Sequence, residues 1–135
     1  MKMKVLCVDD DANILAGYAR QLRKPFALDT AVGGKEGLEA IEKQGPYAVV
    51  ISDMRMPEMN GIQFLEEVSK RSPETIRMML TGNADLKTAI DAVNQGNVFR
   101  FLTKPCPPEN MAKAISDGIE LYQLKQSEKI LLRDT

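Results

Sequence analysis

Histidine does not occur in this 135-residue chain, and cysteine occurs only twice, as Cys7 and Cys106. Without imidazole, and without thiols at ligand spacing, the usual zinc sites cannot be assembled. Both cysteines read as structural thiols rather than redox or metal groups. A surplus of either charge is also missing. The 18 basic residues stand against 19 acidic ones, a net charge of −1, so no global field draws in nucleic acid or an anionic membrane. Nucleic-acid binding by this segment is therefore disfavoured. Long apolar runs are missing too: after the basic Met1-Lys2-Met3-Lys4 only Val5 to Val8 precede Asp9. That is too short for a signal peptide or a spanning helix. The cytoplasm is the expected location, with no membrane partner.

What is present suits one globular domain with its own core, since 44% of residues are hydrophobic and 27% charged. The stretch Ala48-Val49-Val50-Ile51 is apolar and β-branched, the pattern of a strand buried on both faces, and it stops at Ser52-Asp53. Pro57 and Asn60-Gly61 force an irregular loop after it. A first strand, Val5 to Val8, ends in Asp9-Asp10-Asp11, where Asp11 can cap a helix carrying Ile14, Leu15, Tyr18 and Leu22. Phe26 to Val32 is a second, less apolar strand near a sheet edge, broken by Gly33-Gly34 before a helix from Glu36 to Gln44. A third helix carries Ile62, Leu65 and Val68. Thr75 to Leu80 form a fourth strand with Thr81-Gly82 at its tip. Asp85 is placed to cap a fourth helix with Leu86, Ala89, Ile90 and Val93 on one face. Val98 to Thr103 form a fifth strand leading into Lys104-Pro105, and a last helix from Pro108 carries Met111, Ile115, Ile119 and Tyr122. Strands alternating with helices through short loops predict a doubly wound α/β fold, a five-stranded parallel sheet with five helices, the last one extended. If the strand order is 2-1-3-4-5, then Asp9, Asp10, Asp53, Thr81 and Lys104 come to one sheet edge.

Carboxylates gathered at adjacent strand tips repel by about 4 kcal/mol per pair at 4 Å and an effective dielectric near 20. A hard divalent ion with oxygen ligands, Mg²⁺ in particular, offsets that. A carboxylate can attack phosphorus to give an acyl phosphate, and such chemistry needs positioning and charge stabilisation above all. Asp53 is the nucleophile expected on this reading, with the Lys104 ammonium and the Thr81 hydroxyl facing the phosphoryl oxygens. Gly82 is expected to stay small because a side chain would crowd the approach to Asp53. Lys104-Pro105 is a candidate cis peptide that redirects the chain.

Four pieces in order, Val5-Leu6-Cys7-Val8-Asp9-Asp10, Ser52-Asp53-Met54-Arg55-Met56-Pro57-Glu58-Met59-Asn60-Gly61, Leu80-Thr81-Gly82 and Phe101-Leu102-Thr103-Lys104-Pro105, resemble a response-regulator receiver domain of bacterial two-component signalling. The resemblance spans residues 4 to about 120. It implies that Asp53 accepts a phosphoryl group from a histidine kinase or phosphotransfer protein. It further implies that Asp10, Asp53 and the backbone carbonyl of Arg55 ligate Mg²⁺, with Asp9 acting through water. Thr81 and Phe101 become the switch residues, and the surface of the fourth helix, fifth strand and fifth helix becomes the output face, through which receivers often pair as homodimers. Gly82, Arg55 and Asn83 line the phosphate environment, where Arg55 can shield the phosphoryl oxygens. Two departures stand out: Phe101 lacks the hydroxyl that many relatives carry there, and Pro107 replaces a helix-capping aspartate, although Pro108 suits the first helical position.

The same residues also admit blander readings. An Asp-Asp pair is usually a solvated turn, Thr81 alone a strand-end hydroxyl, and Lys104 alone a surface charge. Only their joint placement favours a phosphoacceptor. Met54, Met56 and Met59 read as packing, since thioethers suit soft metals and their neighbours are hard oxygens. One rival is a phosphatase of the haloacid dehalogenase type, disfavoured because its nucleophile follows the first strand in an Asp-x-Asp arrangement. A second is a structural module that never receives phosphate. Beyond residue 120, Leu121, Leu124, Glu128 and Leu131 approach a 3.5-residue repeat. Residues 1–120 are expected to form the receiver unit. Residues 121–135, ending Arg133-Asp134-Thr135, are expected to form a helical extension or linker toward an absent output domain, which the resemblance extends to enzymatic outputs.

Overall fold

Successive residues of a strand face opposite sides of a sheet, so an apolar strand in mid-sheet must be covered twice. The computed structural model describes residues 3–134, with side chains to residue 132. The basic start at Met1-Lys2 and the final Arg133-Asp134-Thr135 side chains fall outside the described residues. Strands β1 (Lys4–Asp9), β2 (Ala27–Val32), β3 (Val49–Asp53), β4 (Ile76–Thr81) and β5 (Arg100–Thr103) alternate with helices α1 (Ala12–Leu22), α2 (Gly33–Gln44), α3 (Gly61–Arg71), α4 (Leu86–Asn94) and α5 (Pro108–Asp134). The strands pair in parallel in the order β2-β1-β3-β4-β5, as expected, with β2 and β5 at the edges.

Period two divides the core into halves. Leu6, Val8, Val50 and Met79 meet Leu38 of α2, Phe64, Leu65 and Val68 of α3, and Ala89 and Ala92 of α4. Their neighbours Val5, Cys7, Val49, Ile51, Met78 and Leu80 turn the other way, onto Leu15 and Leu22 of α1 and Met111, Ala114 and Ile115 of α5. Every residue of β3 is buried. Each face contributes stability mainly by removing apolar surface from water, about 25 cal/mol per Å².

Local signals account for most helix ends. Asp11 accepts hydrogen bonds from Asn13 N–H (2.9 Å) and Ile14 N–H (3.4 Å) and so starts α1. Two local expectations are corrected. Gly33-Gly34 do not merely break the chain before Glu36, because α2 begins at Gly33. Gly33 takes the left-handed φ of 86°, and the Glu36 carboxylate reaches back to Val32 N–H at 2.7 Å. Asp85 does not cap α4; a short 3-10 turn, Asn83–Asp85, precedes that helix, and the Asp85 carboxylate makes no cap hydrogen bond. Arg55 has taken it. The Lys104-Pro105 and Gly45-Pro46 bonds are cis.

Only the first half of α5 packs on the sheet. Beyond Tyr122 the helix continues unbroken, held near its far end by Glu74, which accepts from Gln126 (2.8 Å) and pairs with Lys129. Leu124 and Leu131, 57% and 66% exposed, point outward from it.

A tight backbone approach lies beneath the site. A Cβ on Gly61 would come within 2.3 Å of the Asp53 carbonyl oxygen and 3.0 Å of Met54 Cα, while Gly61 N–H donates to Met54 O at 2.8 Å. Neither neighbour is a side chain that could rotate away. Gly61→Ala is expected to destabilise the fold by about 2 kcal/mol, lowering Tm by about 5–8 °C in a calorimetric scan.

Candidate functional site

Parallel pairing brings the strand ends into line. Val8 lies beside Ser52, Asp53 beside Leu80 and Thr81 beside Thr103. Met54 N–H donates to Leu80 O and Lys104 N–H to Thr81 O, both at 2.9 Å, which extends the ladder past the strand tips. The residues expected to converge from sequence therefore do so, around the carboxyl ends of β1, β3, β4 and β5.

The three consecutive aspartates that begin at the last residue of β1 divide their work. Asp11 serves as the cap, Asp10 is exposed, and Asp9 is 2% exposed. Carboxylate oxygens of Asp9, Asp10 and Asp53 lie within 4.8 Å of one another. Asp9 Oδ1 accepts from Asp11 N–H at 3.0 Å, whereas buried Asp9 Oδ2 has no hydrogen-bond partner. Burial pushes the Asp9 carboxyl up to about 6, reinforced by the neighbouring Asp53 charge and opposed by the Asp11 N–H. An orphaned buried oxygen among hard donors fits a divalent cation of the magnesium type.

Asp53 is 4% exposed at the end of β3, and its Oδ1 meets the Lys104 ammonium in an ion pair. Lys104, more than a third exposed, reaches in from the solvent side. Ser52, not singled out from sequence, donates from its Oγ to the Asp53 carbonyl at 2.9 Å. Thr81 is fully buried and its hydroxyl donates to Gly82 O at 3.2 Å. Phe101 is half-buried against the core cluster that contains Ala89 and Ala92 of α4.

Two features of the rim stand out. A Cβ at Gly82 would meet no atom of the chain within 4 Å, so the space above Gly82 is open. Arg55 points its guanidinium at Asp85, Nε to Oδ2 at 2.7 Å and Nη2 to Oδ1 at 2.9 Å, a partner that local spacing does not reveal. Asn83 opens the 3-10 turn between these groups and Thr81.

Loop geometry completes the frame. Asn60 and Gln63 form a reciprocal cap at the start of α3, Asn60 Oδ1 accepting from Gln63 N–H (2.9 Å) and Gln63 Oε1 from Asn60 N–H (3.0 Å). The Asn-x-x-Gln spacing was legible in the sequence. Glu58 takes φ 68° and Met54 and Met56 are buried, the packing role expected of them. The Cys7 thiol is buried and pushed up to about 12 by that burial, and burial also raises Cys106. Neither behaves as an activated thiol.

Comparison with known proteins agrees with this geometry. A structure described as an adenylate cyclase from Rhodopirellula baltica superposes with a TM-score of 0.97 at 42% identity, each chain covered in full. A response regulator receiver domain protein from Clostridium thermocellum gives a TM-score of 0.85 at 34% identity, over 90% of this chain and 98% of that one. The transcriptional regulatory protein GlrR of Escherichia coli is 37% identical over 117 residues, which make up 86% of this chain and 26% of GlrR. The chain spans about a quarter of the length of the curated relatives it matches. A family model described as the response regulator receiver domain matches residues 5–116, and with the strand order and the strand-end acids found here the chain belongs to that family.

Proposed function

We propose that Asp53 is the phosphoacceptor of this receiver domain and that a histidine kinase or phosphotransfer protein supplies the phosphoryl group. The observation that carries this reading is the Lys104 ammonium seated on the buried Asp53 carboxylate, beside the acidic pair Asp9-Asp10. An Asp53 carboxylate oxygen attacks phosphorus, the acyl phosphate bond forms, and the bond from phosphorus to the donor nitrogen breaks. The donor imidazole leaves with the electron pair. Lys104 transfers its ion pair from the carboxylate to a phosphoryl oxygen. Asp9, Asp10, Asp53 and the Arg55 carbonyl are the groups that would hold Mg²⁺, which when bound neutralises the clustered acids and one phosphoryl oxygen. By this reading the chain is not a turnover enzyme; it catalyses only its own phosphorylation and dephosphorylation.

The switch follows from what Thr81 gives up. Its 3.2 Å hydrogen bond to the adjacent carbonyl is long, and a phosphoryl oxygen bearing most of a charge is a stronger acceptor. When the hydroxyl moves inward, half-buried Phe101 turns into the space it leaves, and the face formed by α4, β5 and α5 repacks. Exposed Ile90 and Phe99 offer apolar contacts there, and Arg100 pairs with Asp117 across β5 and α5 at 3.0 Å. That face would meet a downstream protein, an output domain or a second copy of the chain. We assign residues 1–120 to the receiver unit and 121–135 to the helical extension toward an output domain. The similar proteins carry different names, a transcriptional regulatory protein for GlrR and an adenylate cyclase for the Rhodopirellula structure, so the task proposed in common is the phosphorylation-dependent surface. The cytoplasm is its proposed location; among the described residues no helix is long and apolar enough to cross a membrane.

Incubation with acetyl phosphate and Mg²⁺ is expected to add one phosphoryl group per chain by intact mass, and Asp53→Asn is expected to abolish the addition. Peptide mapping of a mark retained in that variant would move the acceptor elsewhere, and steady hydrolysis of small phosphoesters would favour the phosphatase rival. A second expectation concerns Asp9. Its folded-state value of about 6 exceeds its ordinary 3.8, so the folded protein holds this proton more tightly and stability due to Asp9 falls as pH rises from about 4 to 6. In chelator, Asp9→Asn should therefore be more stable than the parent above pH 6, by on the order of 1–2 kcal/mol, with the gain vanishing below pH 4. Urea titrations of both proteins across that range check it.

A further inference from the structure

Asp85 occupies the position immediately before α4, where an aspartate ordinarily turns its carboxylate onto the free N–H groups of the first turn. Here both of its oxygens are bound by Arg55, at 2.7 and 2.9 Å, and the helix end goes without a side-chain cap. The pair spans two strand tips. Arg55 lies two residues beyond Asp53, Asp85 lies four beyond Thr81, and the Met54 N–H to Leu80 O bond ties the two segments together. Arg55 holds the Asp85 carboxyl below the usual carboxylate range, and Asp85 raises the guanidinium in turn, so both stay charged. The Arg55 side chain is 75% exposed, which leaves it free to change partners.

Residues two apart have Cα atoms no more than about 7 Å from each other, so a group on Asp53 lies within the span of an arginine side chain at position 55. A phosphoryl group brings a charge of about −1.5 to −2 and three acceptor oxygens in a geometry the guanidinium fork matches. The Asp85 carboxylate brings a single charge. We propose that Asp85 is a positioning residue that holds Arg55 away from the site at rest, and that a phosphoryl group on Asp53 displaces it. Arg55 then pairs with the phosphoryl oxygens, and the released Asp85 carboxylate caps α4 at the N–H groups of Lys87 and Thr88. Two anions exchange two partners, and the first turn of the switch helix gains a cap in the phosphorylated state alone. This inference rests on Asp53 being the phosphoacceptor.

The test titrates the whole chain, with Mg²⁺ present, with beryllium trifluoride as a stable phosphoryl mimic, by calorimetry. Asp85→Asn, which removes the competing charge, is expected to bind about 2- to 5-fold more tightly than the parent, the range of an exposed ion pair. Asp85→Glu is expected to return to parental affinity. In an Arg55→Ala background the Asp85→Asn change is expected to have no effect. Amide hydrogen exchange at Lys87 and Thr88 should slow on binding in the parent and stay unchanged in Asp85→Ala. Equal affinity of parent and Asp85→Asn, a gain that persists without Arg55, or no slowing at Lys87 and Thr88 would overturn the exchange while leaving Asp53 as acceptor. Absence of Mg²⁺-dependent binding by the parent would instead overturn the phosphoacceptor reading, and the exchange with it.

Discussion

Crowding of negative charge at the ends of β1 and β3 is the constraint from which the remaining arrangement follows. A sheet with apolar strands buried on both faces offers polar groups a place only at its edges and tips. Three carboxylates share one such tip region, and a buried Asp9 oxygen lacks a partner. One cation answers from within, Lys104 on Asp53, and the remaining charge is what the proposed Mg²⁺ would neutralise. That partial compensation is useful. A site fully neutralised by its own side chains would have no affinity left for metal or phosphate, whereas one with no internal cation would cost the fold more than a domain of marginal stability can bear.

Much of this was legible before any coordinates. The alternation of apolar runs with amphipathic segments gives the fold class, and the doubly wound order 2-1-3-4-5, taken as the condition for Asp9, Asp53 and Thr81 to share one sheet edge, is the order found. Asp11 as a cap, Pro108 at the start of α5 and the buried methionines after Asp53 also followed from residue type and position. What stayed hidden was competition between partners. Asp85 looked like a helix cap because Asp before Leu-Lys-Thr satisfies every local rule, and only the fold reveals Arg55 arriving from thirty positions earlier to claim it. Gly82 lies in open space, so no packing within the chain explains its smallness. The close approach lies at Gly61, which the sequence marked only as a loop residue. Ser52 beneath Asp53 carried no signal at all, since a serine near the end of a buried strand has many ordinary uses.

The division of the core into two faces also explains how a local event can be kept local or passed on. Phe101 packs among residues shared with α4, while Leu102 beside it belongs to the α1 and α5 side. Adjacent positions on one short strand thus report to different layers. In the switch proposed above, a rearrangement at Thr81 that recruits Phe101 would act on α4 first, and α5 would feel it through β5 and through the Arg100–Asp117 pair. Close packing makes such layers respond by discrete repacking rather than by gradual strain.

The length of α5 gives that response mechanical reach. Its 27 residues extend about 40 Å at 1.5 Å per residue. Beyond Tyr122, which still packs on the core, the helix continues as an arm about 18 Å long. Pivoting such an arm by about 5° where it leaves the body carries its far end about 2 Å sideways, enough to shift one row of side chains against another surface. Glu74, which accepts from Gln126 and pairs with Lys129, tethers that arm, so its hold sets how far the end can swing. Motion too small to register inside the sheet would be delivered as displacement at Leu131.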